Sequence, residues 1–307
     1  SKDLSILDFS LFSKEYDLIV FILKKISDKK DVKSSRFSCK DFAKILCFFP
    51  ILIIFVVSFW DYTEFSLVPD IVLTNYVELF ESSVTYSIYL NTLKFAALSW
   101  ILTLVIGFGV AYFLAFHVRQ LRWQVILFLV CTIPFWTSNI IRMIAWIPVL
   151  GRHGLINKGL VNMGIVDQPV EWLLYSDFAV VLAFVHLYTL FMVVPIFNSM
   201  MRIDKSVLEA ARDAGASAMQ VLTHVIIPLC RPGIAIGTIF VVSLVMGDFI
   251  TVQAMSGGQS ASVGVAMNHK RALLQYPAAA ADAMILLVVV LVMVAMLMRT
   301  VNIRKEL

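Results

Sequence analysis

Asp248 is the only charged side chain between Arg231 and Lys270, in a long stretch dominated by apolar residues. An ionised carboxylate in such surroundings is costly, and it persists where it attracts a cation, pairs with one from a neighbouring helix, or sits at the edge of the apolar layer. On a helix it shares a stripe with Leu244, Thr251 and Met255, and Gly247 before it offers a place for the helix to open. A second constellation is Trp136, Asn139, Met143 and Trp146, whose spacings of three, four and three place them on one helix face, with Arg142 beside them. Trp and Asn together could hold an organic cation by cation-π attraction and hydrogen bonds. Packing and an interfacial aromatic belt are the blander account of the same residues. Arg142 opposes a purely cation-binding surface unless an acid neutralises it. Tyr188 and His186 lie together in another apolar run, and a lone His there reads first as a packing residue. Asp282 reads as an interfacial residue near the start of the last apolar run. No Ser/His/Asp set, H-E-x-x-H motif or pair of catalytic carboxylates occurs at usable spacing. The chain is therefore not expected to be an enzyme on its own, and it carries no cofactor or metal motif.

The elements that must position these groups follow from composition. Of the 307 residues, 60% are hydrophobic and 15% charged, with a mean hydropathy of +0.87, well above the ~45–50% apolar content of soluble domains. The expected fold class is all-α, a polytopic membrane protein with six transmembrane helices. A span needs about 20 apolar residues, and six segments qualify: roughly 45–62, 93–116, 124–148, 178–198, 233–255 and 279–299. Lys and Arg divide unequally between alternate connections, 19 on one side and 4 on the other, so both termini and the connection at 199–232 are expected in the cytoplasm. The net charge of +4 expresses that asymmetry and gives no argument for nucleic acid.

Two domains are expected, a basic cytoplasmic extension at 1–44 and a transmembrane domain at 45–307. Within the extension the apolar run Leu18–Leu23 is too short to cross a bilayer. An amphipathic helix lying on the lipid surface and a solvated tail both fit it. The segment from Ile45 reads as a retained anchor, since no small-residue cleavage site follows near Trp60 and Asp61. None of the four cysteines falls in an outward-facing connection, which argues against a disulfide framework.

Between two apolar runs lies SVLEAARDAGASAMQVLTHVIIP at 206–228. Ser206 with Glu209, and Ser217 with Gln220, have the spacing of capping boxes, predicting two short helices. Gly215 suits the left-handed turn that ends the first, and Pro228 is expected to stop the second. Ala210, Ala211, Ala214, Ala216 and Ala218 make a slender element that could enter a cleft in a partner protein. Glu209 and Arg212 offer charge-assisted contacts at its rim.

EAARDAG at 209–215, followed after nine residues by Val225-Ile226-Ile227-Pro228, resembles the EAA loop of the membrane subunits of ABC importers. Val225 and Ile227 stand where that pattern has Ile and Leu. PFWTSNIIR at 134–142, GLIN at 154–157, GIVDQP at 164–169, FMVVPIF at 191–197 and GDFITVQAMSGG at 247–258 resemble the spermidine/putrescine permease branch. The resemblance covers residues 45–307. It implies a bacterial inner-membrane permease subunit of an ATP-driven, binding-protein-dependent importer, for polyamines or a related small organic cation. It further implies a second homologous permease subunit, a periplasmic substrate-binding protein, and ABC ATP-binding subunits that carry ATP and Mg. The 206–228 segment would then be a cytoplasmic coupling helix, with Glu209, Ala210, Ala211, Arg212 and Gly215 meeting the ATPase. Asp248, Trp136, Asn139, Arg142, Thr251 and Tyr188 are the candidate substrate path. Opines, other amino-acid derivatives and oxyanions are alternative cargoes.

Met255-Ser256-Gly257-Gly258-Gln259 resembles the signature with which ABC ATPases hold ATP. The chain has no G-x-x-x-x-G-K-[ST] loop, and its topology places this segment outside, so a turn after the fifth span is expected. The rival class is an ATP-independent secondary transporter or channel, in which Asp248 or His186 would carry protons or ions. Such carriers often contain matched internal repeats, and none is evident here.

Overall fold

The computed structural model describes residues 39–63, 67–68, 70–118 and 120–300. The expected surface helix at Leu18–Leu23, with most of the basic extension, lies outside the described residues. The chain divides into two compact units, Ser1–Leu52 and Ile53–Leu307, and the second carries the candidate site. In chain order the helices are α1 (Cys39–Val57), α2 (Thr74–Glu81), α3 (Ser83–Tyr112), α4 (Leu121–Thr132), α5 (Asn139–Leu150), α6 (Leu155–Asn162) and α7 (Asp177–Met200). They continue with α8 (Lys205–Asp213), α9 (Ala218–Val221), α10 (Ile227–Gly247), α11 (Ile250–Ser256), α12 (Val263–Ala272) and α13 (Tyr276–Thr300). Two-residue strands Asp61–Tyr62 and Leu67–Val68 pair antiparallel.

Among the described residues four helical runs are long and apolar enough to cross a membrane: Ser83–His117, Glu171–Met200, Ala218–Gly247 and Tyr276–Arg299. A fifth crossing arises if the bent pair Leu121–Trp136 and Asn139–Asn162 counts as one span. The apolar part of α1, Phe48–Val57, is shorter.

Helices α3, α7 and α10 form the centre, with Phe95, Phe184, Met192, Ile196, Val241 and Met246 almost wholly buried. Lipid tails are as apolar as leucine, so helices in a bilayer associate through close packing and interhelical hydrogen bonds. Both devices are present. Trp100 Nε1 on α3 donates to Thr238 Oγ1 on α10 at 2.8 Å. Gly233 and Gly237 let α10 lie directly on α7, where a Cβ on Gly233 would stand 2.5 Å from the Pro195 carbonyl oxygen. That obstacle is backbone and cannot swing away. Gly233→Ala is therefore expected to destabilise the α7–α10 contact by about 1–3 kcal/mol, read as a lower melting temperature of the detergent-solubilised protein. Gly109→Ala, with nothing near its Cβ position, should leave that temperature unchanged.

Several elements differ from the sequence expectation, each for a local reason. The segment 124–148 is not one helix: α4 runs into a short 3₁₀ turn at Ile133–Trp136, and the two arms meet at 90°. Pro134 sits at the start of that turn, and Thr137 and Ser138 take extended conformations with ψ of 151° and 140°. The stripe therefore fails at Trp136, which is 80% exposed on the far arm while Asn139, Met143 and Trp146 begin a new helix. The segment 233–255 also breaks, because Asp248 is extended (ψ 117°) after α10 and α11 starts afresh at Ile250. Asp248 is thus a helix terminus, outside any continuous stripe with Leu244.

Helix α8 starts two residues earlier than Ser206 predicts. Asp204 occupies the N-cap position, no side chain caps it, and Ser206 falls inside the helix. Pro228 stops nothing: a π-helical turn at Leu222–Ile226 leads straight into α10. The proline lies in the first turn of the α-helical part, where its missing N–H is tolerated. By contrast, the Ser217–Gln220 capping box is complete, with Ser217 N–H donating to Gln220 Oε1 at 2.8 Å and Gln220 N–H to Ser217 Oγ at 3.3 Å.

Candidate functional site

Asp248 owes its position to the break between α10 and α11. Freed from a helix, its carboxylate turns back to accept from the Thr251 N–H at 3.0 Å and the Thr251 hydroxyl at 2.5 Å. Tyr188 on α7, 60 residues away in sequence, donates its hydroxyl to the same carboxylate at 2.7 Å. Asp248, Thr251 and Tyr188 line one open pocket of about 340 Å³ with Asn139, Ser243 and Gly247. Three donors fix the carboxylate in place, and its half-buried state leaves it open to the pocket. A carboxylate held this way can meet an ammonium group without reorganising.

Arg142 is buried to 8% exposure, one turn along α5. Its Nη2 donates to Asn139 Oδ1, and its Nε is buried with no hydrogen-bond partner. No carboxylate among the described residues lies within ion-pair distance of it. The neutralising acid that a cation-only surface would call for is therefore missing from Arg142 itself, although its guanidinium does not line the Asp248 pocket. His186, on an exposed face, accepts from Trp146 Nε1 at 3.0 Å through Nδ1 and meets that indole edge to face at 5.6 Å. Of the six path candidates, the structure brings Asp248, Thr251, Tyr188 and Asn139 together, puts Arg142 just behind them, and leaves Trp136 outside.

Two more charged residues of the apolar runs, Lys94 and Asp282, are paired. Lys94 Nζ lies 2.6 Å from Asp177 Oδ2, and Ser260 donates to the other oxygen of Asp177. Asp282 is buried and ion-paired with Lys270 at 2.7 Å. Asn157, in the GLIN stretch, ties its connection down by bonding the Gly151 carbonyl at 3.0 Å, the Val170 carbonyl at 3.0 Å and the Val170 N–H at 2.7 Å.

At the 206–228 segment, α8 buries Leu208 and half-buries Ala211, while Glu209, Ala210, Arg212 and Ala214 face outward. Gly215 has a φ of +84°, a left-handed conformation that costs other residues roughly 1–2 kcal/mol. Nothing lies within 4 Å of where its Cβ would be, so the turn demands glycine for backbone reasons alone.

No family model matches the chain. Among curated proteins it is 34% identical over 221 residues to the spermidine/putrescine transport system permease protein PotB of Salmonella typhimurium (strain SL1344), spanning 72% of this chain and 76% of that one. PotB of Escherichia coli (strain K12) matches at 34% identity over 72% of this chain and 79% of its own. The chain belongs to the PotB family of ABC transporter permeases. The inner membrane ABC transporter permease protein YdcU of E. coli (strain K12) is 30% identical over 64% of the permease and 65% of its own length. Among solved structures, a chain of a bacterial alginate ABC transporter, in complex with an alginate pentasaccharide-bound periplasmic protein, superposes with a TM-score of 0.68. It shares 16% identity and covers 97% of the permease and 98% of that chain, a likeness of fold.

The permease is a multi-pass membrane protein. Its Ser256-Gly257-Gly258 sequence forms a turn after α11, with Gly257 and Gly258 at φ of +59° and +82°. The Ser256 hydroxyl is spent locally, accepting from the Gly258 N–H and donating to the Ser260 carbonyl, both at 3.3 Å. Sequence reasoning missed Phe191 and Phe240, whose rings lie 6.2 Å apart between α7 and α10. The signal was available for the first, since Phe191 follows Tyr188 by three residues on the same helix.

Proposed function

We propose that the permease is one membrane-spanning half of an ATP-driven, binding-protein-dependent importer that admits polyamines or a related small organic cation across a bacterial inner membrane. The observation that carries the substrate reading is the Asp248 carboxylate, fixed by Thr251 and Tyr188 in an open pocket, in a chain 34% identical to spermidine/putrescine permeases. Tyr188 would add an aromatic face for cation-π attraction beside the charge. A second homologous permease subunit would complete the path and a periplasmic substrate-binding protein would deliver the cargo. In this reading the chain has six spans, counting α1 and the bent pair, with both termini cytoplasmic. Glu209, Ala210, Ala211, Arg212 and Gly215 would form the contact with separate ABC subunits that bind ATP and Mg and perform the hydrolysis. The outward alanines and the glycine turn support that role, since they allow close backbone approach at a fixed angle.

Arg142 favours a second cargo class. Its guanidinium, bonded to the pocket residue Asn139, sets a positive charge behind the pocket that would suit a zwitterionic amino-acid derivative or opine, which carries both charges.

The test is reconstitution of the complete transporter in proteoliposomes with its loaded binding protein. Uptake of radiolabelled spermidine or putrescine that requires ATP is the expected result. Uptake driven by an ion gradient without nucleotide would make the chain a secondary carrier. ATP-dependent uptake of an opine and of no polyamine would transfer the reading to the second class.

A further inference from the structure

The Asp248 pocket has a neighbour on the same face. Toward the N-terminal end of α10 and the C-terminal end of α7 lies a second pocket of about 690 Å³, lined by Asn198, Arg202, Asp204, Ile236 and Phe240 among others. The α10 residues that line the two pockets include Gly247, Leu244, Phe240, Ile236 and Pro232, at spacings of three, four, four and four, so they share one helix face. On α7, Tyr188 lines the first pocket and Asn198 the second, with Arg202 in the turn just past the end of the helix. By helix rise, Tyr188 and Asn198 are about 15 Å apart along α7. Between them stand the rings of Phe191 and Phe240, centroids 6.2 Å apart.

Phe191 is the hub of an aromatic series. It lies 5.5 Å from Phe135, edge to face, and 6.2 Å from Tyr188. Tyr188 is the residue that holds the Asp248 carboxylate. Phe240, about half exposed, lines the second pocket, and Phe135, equally exposed, comes from the break between α4 and α5. Phe191 and Phe240 thus sit beyond the carboxylate on α7 and α10, which line both pockets.

We propose that Phe191 and Phe240, buttressed by Phe135, form an aromatic gate separating an acidic binding pocket from the second, Arg202-lined pocket. The inference rests on the reading of this face as the substrate path. An apolar constriction excludes water and small ions by dewetting, while an organic ammonium can be handed from Asp248 and Tyr188 to ring faces that attract it. Selectivity then arises at two successive points, a charge that attracts and a ring pair that passes only cations able to shed water. Beyond the gate the pocket carries both Arg202 and Asp204, so it offers a cation that has crossed no net charge to hold it.

The experiment measures passive leak of rubidium ions from proteoliposomes holding the assembled transporter without nucleotide. Phe240→Ala is expected to raise that leak about tenfold or more over wild type, and Phe191→Ala to do the same. Phe240→Leu keeps bulk and removes the π face, so it should stay closed to rubidium while slowing ATP-driven uptake of the organic cation. A leak equal to wild type in both alanine variants would overturn the gate. If Phe240→Ala does not assemble, Phe240→Leu decides the matter: unchanged cation uptake would show that the ring contributes packing only. Because rubidium leak needs no knowledge of the cargo, a wrong substrate assignment leaves this measurement intact.

Discussion

Ala210→Trp is expected to cut ATP-driven uptake by about 10–100-fold while the permease still inserts and folds, because an indole forced into a packed contact costs about 1–3 kcal/mol. Ala210 faces outward from α8 and makes no demand on the chain's own core. Any loss must therefore be read at a partner's surface. Ala211, its neighbour, behaves differently: it is half-buried and packs against the core that includes Leu208. Ala211→Trp should lower the thermal stability of the isolated permease as well as its transport. Gly215→Ala supplies the third arm, since its cost is the strain of a φ of +84° with no steric clash. Measured together, ATPase activity, uptake and melting temperature separate contact, core and turn. Wild-type uptake by Ala210→Trp would remove α8 from the docking surface.

Asp248→Asn is expected to lower transport at saturating loaded binding protein by about 10–100-fold, the loss of one charge-assisted contact worth roughly 1.5–3 kcal/mol. The fold should survive, because an amide oxygen can still accept from the Thr251 N–H that now bonds Oδ1. ATP hydrolysis should persist, in contrast to the α8 variants, since α8, the proposed ATPase contact, is untouched. Tyr188→Phe removes one donor to the carboxylate and keeps the ring, so its effect should be smaller. If Asp248→Asn transports as wild type does, the carboxylate serves only to cap α11.

The features legible in the sequence are those fixed by short-range chemistry. Ser217 and Gln220 cap each other across three residues, and Gly215 turns within its own segment. Ser206 and Glu209 have the same spacing, yet Asp204 begins the helix two residues earlier. Several adjacent residues can serve as N-cap there, and the spacing does not say which prevails. Pro228 reads as a stop if an ordinary helix turn is assumed, whereas the π-helical turn before it widens the backbone and lets the chain continue. Asp248 is conspicuous as a lone charge, but its tie to Tyr188 spans 60 residues and arises only when α7 lies on α10. Trp136 was misplaced because helical periodicity was carried across Thr137 and Ser138, which are extended.

The uninterrupted passage from α9 through the π-helical turn into α10 has a mechanical meaning. Ala218–Gly247 is one run of 30 residues, about 45 Å of helix at 1.5 Å per residue, so a tilt of ~10° about one end displaces the other by ~8 Å. Asp248 is attached at the end of that rod, and the capping box of Ser217 and Gln220 at its beginning. A stiff member conveys torque in both directions. Whatever free energy a docked partner spends in tilting the rod to alter the carboxylate's affinity, a bound cation returns in equal measure to the partner's affinity. Cargo and coupling partner would then weigh on opposite arms of the same balance, with no messenger between them except the backbone.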